Sequence, residues 1–254
     1  MTFCLGMKVK DGLVGIADTR VTSGTECIRA RKISTYFGDR YAFFMMTSGL
    51  RSVRDKSLTY FEEALDARLG ECDRLFKAVN LFAEQVRRVA KEDREALMAS
   101  GLHFNIHTLI GGQMAADKEH KLFLLYPEGN WVEVGQGTPY HIIGASGYGK
   151  PVLDRTLKYT DPMRFALKVG CLAFDSTRIS AADVDFPIDV VLYPSGSFEM
   201  IEHRFEKQDL ADMSAWWQER LRKSVSELPE NWMETLLSRA AEIDPRRQIA
   251  VHPT

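Results

Sequence analysis

The chain has 254 residues, of which 45% are hydrophobic and 27% charged, and this composition excludes a disordered or collagen-like polypeptide. With 33 basic and 35 acidic residues the formal charge is −2, so neither nucleic acid nor a membrane surface is expected as a partner. Apolar runs are too short to span a bilayer, and charges at Lys8 and Lys10 argue against a secretory signal. The 4 cysteines lack metal-ligand spacing, which predicts reduced thiols in a cytoplasmic protein with no metal and no cofactor.

The first part of the chain predicts two strand pairs followed by two helices. A Lys-Asp-Gly turn between apolar runs predicts a hairpin of residues 2–9 and 13–17, and a second pair follows at 33–37 and 41–46. From residue 58 to 89, apolar residues recur every three or four positions in two runs, which is typical of two amphipathic helices.

The second part repeats this order. Strands are predicted at residues 106–114, 121–126, 131–134 and 140–143. Asp161 followed by Pro162 predicts a helix that starts with Asp161 as its N-cap and continues to about residue 174. A last strand pair is predicted at 188–193 and 198–201, and a polar helical tail completes the chain.

Antiparallel strands segregated from helix pairs favour an α+β fold over a doubly wound parallel sheet. Two helix pairs that cover the outer faces of two stacked sheets would form a four-layer αββα sandwich. No change of composition divides the chain, so we expect one domain over residues 1–203. The residues from 204 to 254 are then a helical C-terminal extension that packs on the same domain.

Thr2 directly follows the initiator methionine at the start of the first strand. Its small side chain permits removal of Met1, which would leave a free α-amine beside a hydroxyl, and such an amine can act as the base for that weak nucleophile. In an antiparallel hairpin Asp18 lies beside Thr2, and Lys32 at the start of the next strand can tune it electrostatically. Each residue alone is more simply a turn or a strand end, but together they indicate an N-terminal nucleophile.

These motifs resemble those of proteasome β-type subunits, which are N-terminal nucleophile hydrolases. The family pattern is an N-terminal Thr on a strand, Gly-x-x-Asp-x-Arg, Lys before an aliphatic residue, and Ser-Gly after a further strand. The sequence matches it at Thr2, Gly15 to Arg20, Lys32-Ile33 and Ser48-Gly49. The element order over about residues 2–203 also matches, and with its helical tail the chain is similar to the bacterial ancestral β-subunit group called Anbu.

The resemblance implies a threonine-type peptidase or amidohydrolase. Thr2 would attack an amide carbonyl, and the backbone N–H of Gly49 would hold the oxyanion. Asp18 and Lys32 match the pair that tunes the nucleophile. The implied partners are a peptide or amide substrate and further copies of the chain, arranged in a ring or in an open spiral.

Three further residues match supporting positions of the family. Ser146, within Gly-Ala-Ser-Gly, matches the serine near the terminal amine. Asp175 and Ser180 fall near the family's last supporting groups, although their spacing departs from the usual Asp-x-x-Ser. All three are therefore expected near Thr2.

Two other interpretations stay open. Proteasome relatives include inactive subunits, so the chain could be an assembly subunit with weak or no catalysis. Residues 144–150 also fit the phosphate-binding pattern G-x-x-x-x-G-K, but Pro151 stands where the motif needs Ser or Thr, and the surrounding strands are predicted to be antiparallel. The sequence names neither the substrate nor an unfoldase partner.

Overall fold

In a computed structural model of the protein, residues 2–23 and 26–243 are described. Over these residues the chain is a mixed α+β structure with three antiparallel sheets and six α-helices. Its contacts divide it into two compact units, Met1–Ala211 and Asp212–Thr254. The expected division at residue 203 and the packing of the tail stay predictions. None of the helices within the described ranges is long and apolar enough to cross a membrane.

The strands and helices follow in chain order. The strands are β1 (Phe3–Val9), β2 (Gly12–Asp18), β3 (Arg20–Ser23), β4 (Glu26–Arg29), β5 (Ile33–Gly38), β6 (Tyr41–Gly49), β7 (Ile106–Met114), β8 (Lys121–Leu125), β9 (Trp131–Glu133), β10 (Tyr140–Gly144), β11 (Ile188–Pro194) and β12 (Ile201–Phe205). The α-helices are α1 (Arg51–Arg68), α2 (Leu75–Ala99), α3 (Lys150–Thr156), α4 (Met163–Ser180), α5 (Ala211–Ser226) and α6 (Glu234–Ile243).

Two five-stranded sheets form most of the first unit. One has the order β10-β1-β2-β11-β12, the other has the order β5-β6-β7-β8-β9, and β3 with β4 makes a separate two-stranded ribbon. Every residue of β1 and β2 is buried. This explains why the two strands are nearly continuous apolar runs and do not alternate between apolar and polar residues. The site residues at their ends are therefore attached to fully buried strands.

Two apolar clusters hold the first unit together. One joins the two five-stranded sheets and includes Leu13 of β2 with Phe44 of β6 and Leu122 of β8. The other packs α1 and α2 against the second sheet, with Phe61 and Phe82 in edge-to-face contact at 5.3 Å between ring centroids. The α+β class is confirmed, and the complete four-layer sandwich stays a prediction.

The start of α4 differs from the prediction. Pro162 is the N-cap residue, and the carboxylate of Asp161 accepts from the N–H of Lys158 at 2.7 Å instead of capping the helix. The N–H of Met163 donates to both carboxylate oxygens of Asp11, at 2.9 and 3.1 Å. Because the β1–β2 turn lies against this helix end, a residue distant in sequence supplies the acceptor that the first turn needs.

Two strand predictions also need correction. The last strand is Ile201–Phe205 and not 198–201, because Phe198 has a positive φ of 53° and belongs to the turn. The ribbon of β3 and β4 was not predicted, since its short polar strands lack the alternation that marks a half-buried sheet.

Candidate active site

Thr2 lies immediately before β1, and the pairing of β1 brings two other segments beside it. On one side, the N–H of Phe3 donates to Oδ1 of Asp18 at 2.8 Å, which places the end of β2 next to Thr2. On the other side, the carbonyl of Thr2 accepts from the N–H of Ala145 at 2.7 Å, just after β10. Thr2 is partly accessible, whereas the residues that hold it are buried. Met1, whose removal would free the amine of Thr2, lies outside the described residues.

Asp18 and Lys32 form a buried ion pair. The Nζ of Lys32 lies 2.6 Å from Oδ1 of Asp18 and also donates to the carbonyl of Arg20 at 2.6 Å. The side chains of the pair are only 0% and 2% exposed. Burial raises the pKa of Asp18, whereas the Lys32 ammonium and two backbone N–H donors act in the opposite direction. The sequence-based placement of both residues is thus what the structure shows.

Gly49 ends β6 with a φ of +138°, a conformation that glycine tolerates and other residues rarely adopt. The carbonyl of Asn105 lies so close that a Cβ at position 49 would collide with it. The same carbonyl accepts from the N–H of Leu50 at 2.9 Å. A glycine is therefore required here both by backbone conformation and by space.

The direction of the Gly49 N–H follows from strand geometry. Successive N–H groups of a strand point to opposite sides within the sheet. The N–H of Thr47 donates to the carbonyl of Lys32 on the β5 side, and that of Leu50 donates to Asn105 beside β7. Two residues after Thr47, the N–H of Gly49 points to the β5 side again, beyond the first residue of β5. This is the side on which Lys32 lies.

A cleft of about 410 Å³ connects these segments. Its lining residues are Thr2, Val21, Ser48, Gly49, Leu50, His103, Asn105 and Gly144. Thr2 and Gly49 thus line one open cavity, and Asp18 of the buried pair contacts β1 directly after Thr2. Within the described residues, no group of three or more His, Cys, Asp or Glu side chains is placed to hold a metal ion.

No protein-family model matches the chain, and no curated protein matches it. Solved Anbu structures match with a probability of 1.00. A mutant of Anbu from Hyphomicrobium is 28% identical, with a TM-score of 0.83 over 89% of this chain and 99% of that one. Anbu (ancestral β-subunit) from Yersinia bercovieri is 29% identical, with a TM-score of 0.82 over 89% and 98%. The helical assembly of the Anbu complex from Pseudomonas aeruginosa is 26% identical, with a TM-score of 0.82 over 89% and 97%.

The chain has the Anbu fold. The resemblance that the motifs indicated is thereby confirmed over most of the sequence. The roles of individual residues are a separate question, because neither the fold nor the comparisons test them.

The three remaining predicted site residues of this Anbu-like chain differ in burial and in their contacts. Ser146 is half-buried and directly follows Ala145, which binds the carbonyl of Thr2. Asp175 is buried within α4, where it accepts from Nε of Arg178 at 2.9 Å. Ser180 is the exposed last residue of α4, and no hydrogen bond among the described residues joins it to Thr2. Ser146 thus directly follows a residue that contacts Thr2, and the expected places of Asp175 and Ser180 near Thr2 stay predictions.

Four cleft residues were missed from the sequence: His103, Asn105, Val21 and Leu50. The first two belong to the loop before β7, and no local motif marks them. Gly144 was quoted within the Gly-Ala-Ser-Gly motif and the possible phosphate-binding loop, but it was given no role of its own. It has a φ of +90°, and a Cβ there would collide with the carbonyl of Thr2, so a sharp turn beside Thr2 explains this glycine without a ligand.

The structure does not support nucleotide binding by residues 144–150. The preceding strand β10 runs antiparallel to β1, whereas the phosphate-binding motif belongs to parallel βαβ units. The Nζ of Lys150 donates to Asp154 at 2.9 Å and to the hydroxyl of Tyr140 at 3.1 Å. The lysine that would bind phosphate is therefore engaged by its own helix and by β10.

Proposed function

We propose that this protein is an N-terminal threonine hydrolase of amide bonds that acts within a proteasome-related assembly. The observation that supports this proposal best is the shared cleft of Thr2 and Gly49, beside the buried pair of Asp18 and Lys32. A nucleophile, a directed backbone N–H and a buried charged pair are the parts that acyl transfer needs.

The proposed chemistry starts with removal of Met1. The Oγ of Thr2 attacks the carbonyl carbon of the substrate, and the α-amine accepts the hydroxyl proton, directly or through a water. The Gly49 N–H stabilises the negative charge that develops on the carbonyl oxygen. The amine product leaves with a proton, and water then hydrolyses the ester to release the acid. The Lys32 ammonium favours the deprotonated forms of nearby groups by its positive charge.

The proposal extends to the assembly. The Pseudomonas relative is described as a helical assembly of the Anbu complex. By analogy, we infer that this chain forms a homo-oligomer in which side-to-side contacts give an open spiral rather than a closed ring. We also infer that the first unit is a four-layer sandwich in which helix pairs cover the outer faces of both sheets.

The test is the intact mass of the protein before and after treatment with a peptide epoxyketone that reacts with N-terminal threonine. We expect loss of Met1 and one adduct, located on Thr2 by peptide mapping. Thr2→Ala should give no adduct while its far-ultraviolet circular dichroism stays unchanged, and Thr2→Ser should keep labelling because the hydroxyl and amine are retained. A folded Thr2→Ala variant that labels as the wild type does would refute the assignment.

The alternative is an assembly subunit with little catalysis. The Pseudomonas relative described as a helical assembly agrees with it as well, because a role in assembly does not require that Thr2 react. Retention of Met1, or a bare Thr2 that never reacts with the epoxyketone, together with a high-mass assembly in light scattering, would support this second function.

A further inference from the structure

The cleft beside Thr2 has no acidic lining. Among its described lining residues, His103 is the only one with an ionisable side chain, and the others are apolar, small or neutral polar. The nearest carboxylate to Thr2 along the pairing of β1 is Asp18, which is 0% exposed and compensated by Lys32. A negatively charged substrate group would thus meet no exposed carboxylate on the cleft wall.

The loop that carries His103 is fixed to the proposed oxyanion site. The carbonyl of Asn105 contacts the α-carbon side of Gly49 and accepts from the N–H of Leu50 at 2.9 Å. Asn105 is followed directly by β7, in which Ile106 is paired with Gly49. The backbone at Asn105 is therefore fixed beside Gly49, and His103 lies two residues before it on the same loop.

Both side chains are available to a ligand. His103 and Asn105 are exposed, and neither side chain makes a hydrogen bond or ion pair with another described residue. Arg51 and Arg54 at the start of α1 each form an ion pair with Asp55, at 3.3 and 2.6 Å. Their positive charges are therefore partly neutralised. An imidazole and a carboxamide side by side can together donate hydrogen bonds to a carboxylate.

We propose that this cleft selects peptides that carry a carboxylate side chain within a few residues of the attacked amide, and that His103 and Asn105 bind that carboxylate. The preferred cleavage of such peptides rests on the proposed function, whereas their binding in the cleft does not. His103 and Asn105 are thus specificity-determining residues that contact the substrate, and they take no part in bond cleavage.

The test uses paired internally quenched peptides that differ only by Glu or Gln, placed in turn at the three positions on either side of the cleaved bond. At one or more positions we expect kcat/KM to be about fivefold higher for Glu, which is the size of one net hydrogen bond to the carboxylate. In His103→Gln this ratio should fall close to one, and in His103→Lys it should persist because an ammonium group also donates hydrogen bonds to a carboxylate. The control is His203→Gln, an exposed histidine of β12 that should leave the ratio unchanged.

A Glu-to-Gln ratio of kcat/KM near one at every position in the wild type would overturn the inference, and so would a preference that His103→Gln leaves intact. Epoxyketone labelling of Thr2 would in that case still support the proposed function. If neither labelling nor turnover occurs, the proposed function fails instead. Fluorescence anisotropy of the labelled Glu and Gln peptides on Thr2→Ala then decides the inference alone. Tighter binding of the Glu peptide that is lost in Thr2→Ala/His103→Gln supports it, and equal binding refutes it.

Discussion

Replacement of Lys32 by methionine isolates the electrostatic part of the site. Methionine keeps much of the volume and removes the ammonium that lies 2.6 Å from Asp18. The carboxylate would keep its two backbone donors, the N–H groups of Phe3 at 2.8 Å and Arg20 at 3.2 Å, but it would have lost its counter-ion. Because both side chains of the pair are almost inaccessible, water does not replace the lost partner.

The magnitude follows from this burial. Removing one partner of a buried ion pair costs about 3–5 kcal/mol of unfolding free energy. For a chain of this size that corresponds to a fall in Tm of about 6–20 °C. Because the isolated carboxylate is better tolerated when protonated, the deficit should shrink as the pH falls from 8 to 5.

The assay is urea unfolding of wild type and Lys32→Met at pH 8 and pH 5. Lys56→Met is the control, since its ammonium lies 2.8 Å from both Glu92 and Asp93 at a partly solvent-accessible site, where the loss of an ion pair should cost much less than at the fully buried pair. In Asp18→Asn/Lys32→Met, part of the lost stability should return because no buried charge remains. A loss in Lys32→Met no larger than that of the control, or one that is equal at both pH values, would refute the buried-pair reasoning.

Two more predictions concern the cleft glycine and a buried histidine. Gly49→Ala forces a Cβ against the carbonyl of Asn105 at a positive φ, so we expect about 1–3 kcal/mol of lost stability and no epoxyketone adduct. The control is Gly147→Ala, where a Cβ meets open space and should change neither stability nor labelling. An equal effect of both substitutions would contradict the steric argument. Burial lowers the pKa of His120, whose Nε2 lies 2.8 Å from the carbonyl of Val9. As the pH is lowered, the unfolded chain therefore takes up a proton before the folded chain does. The free energy of unfolding should thus decrease below about pH 6.5. His120→Gln should show a smaller loss of urea midpoint between pH 7.5 and 5.5, and an equal loss would mean that other groups cause it.

Contacts between elements that follow each other along the chain could be predicted from local patterns. A turn residue pair between two apolar runs forces β1 and β2 into a hairpin, and antiparallel pairing then places Asp18 beside the residue that precedes β1. The same local logic identified α1 and α2 from their apolar period, but it set no helix ends, because helix ends depend on caps and not on the period. The position of Lys32 followed from its place at the start of β5.

The tertiary structure alone decided which distant residues meet at this hairpin. Asn105 reaches Gly49 because β7 pairs with β6, and Asp11 caps α4 because the β1–β2 turn lies against that helix start. No local pattern encodes such contacts, since propensity and periodicity describe only a few neighbouring residues, whereas sheet order joins segments far apart in the chain. For the same reason His103 looked like an ordinary loop residue until the fold placed it on the wall of the cleft that contains Thr2.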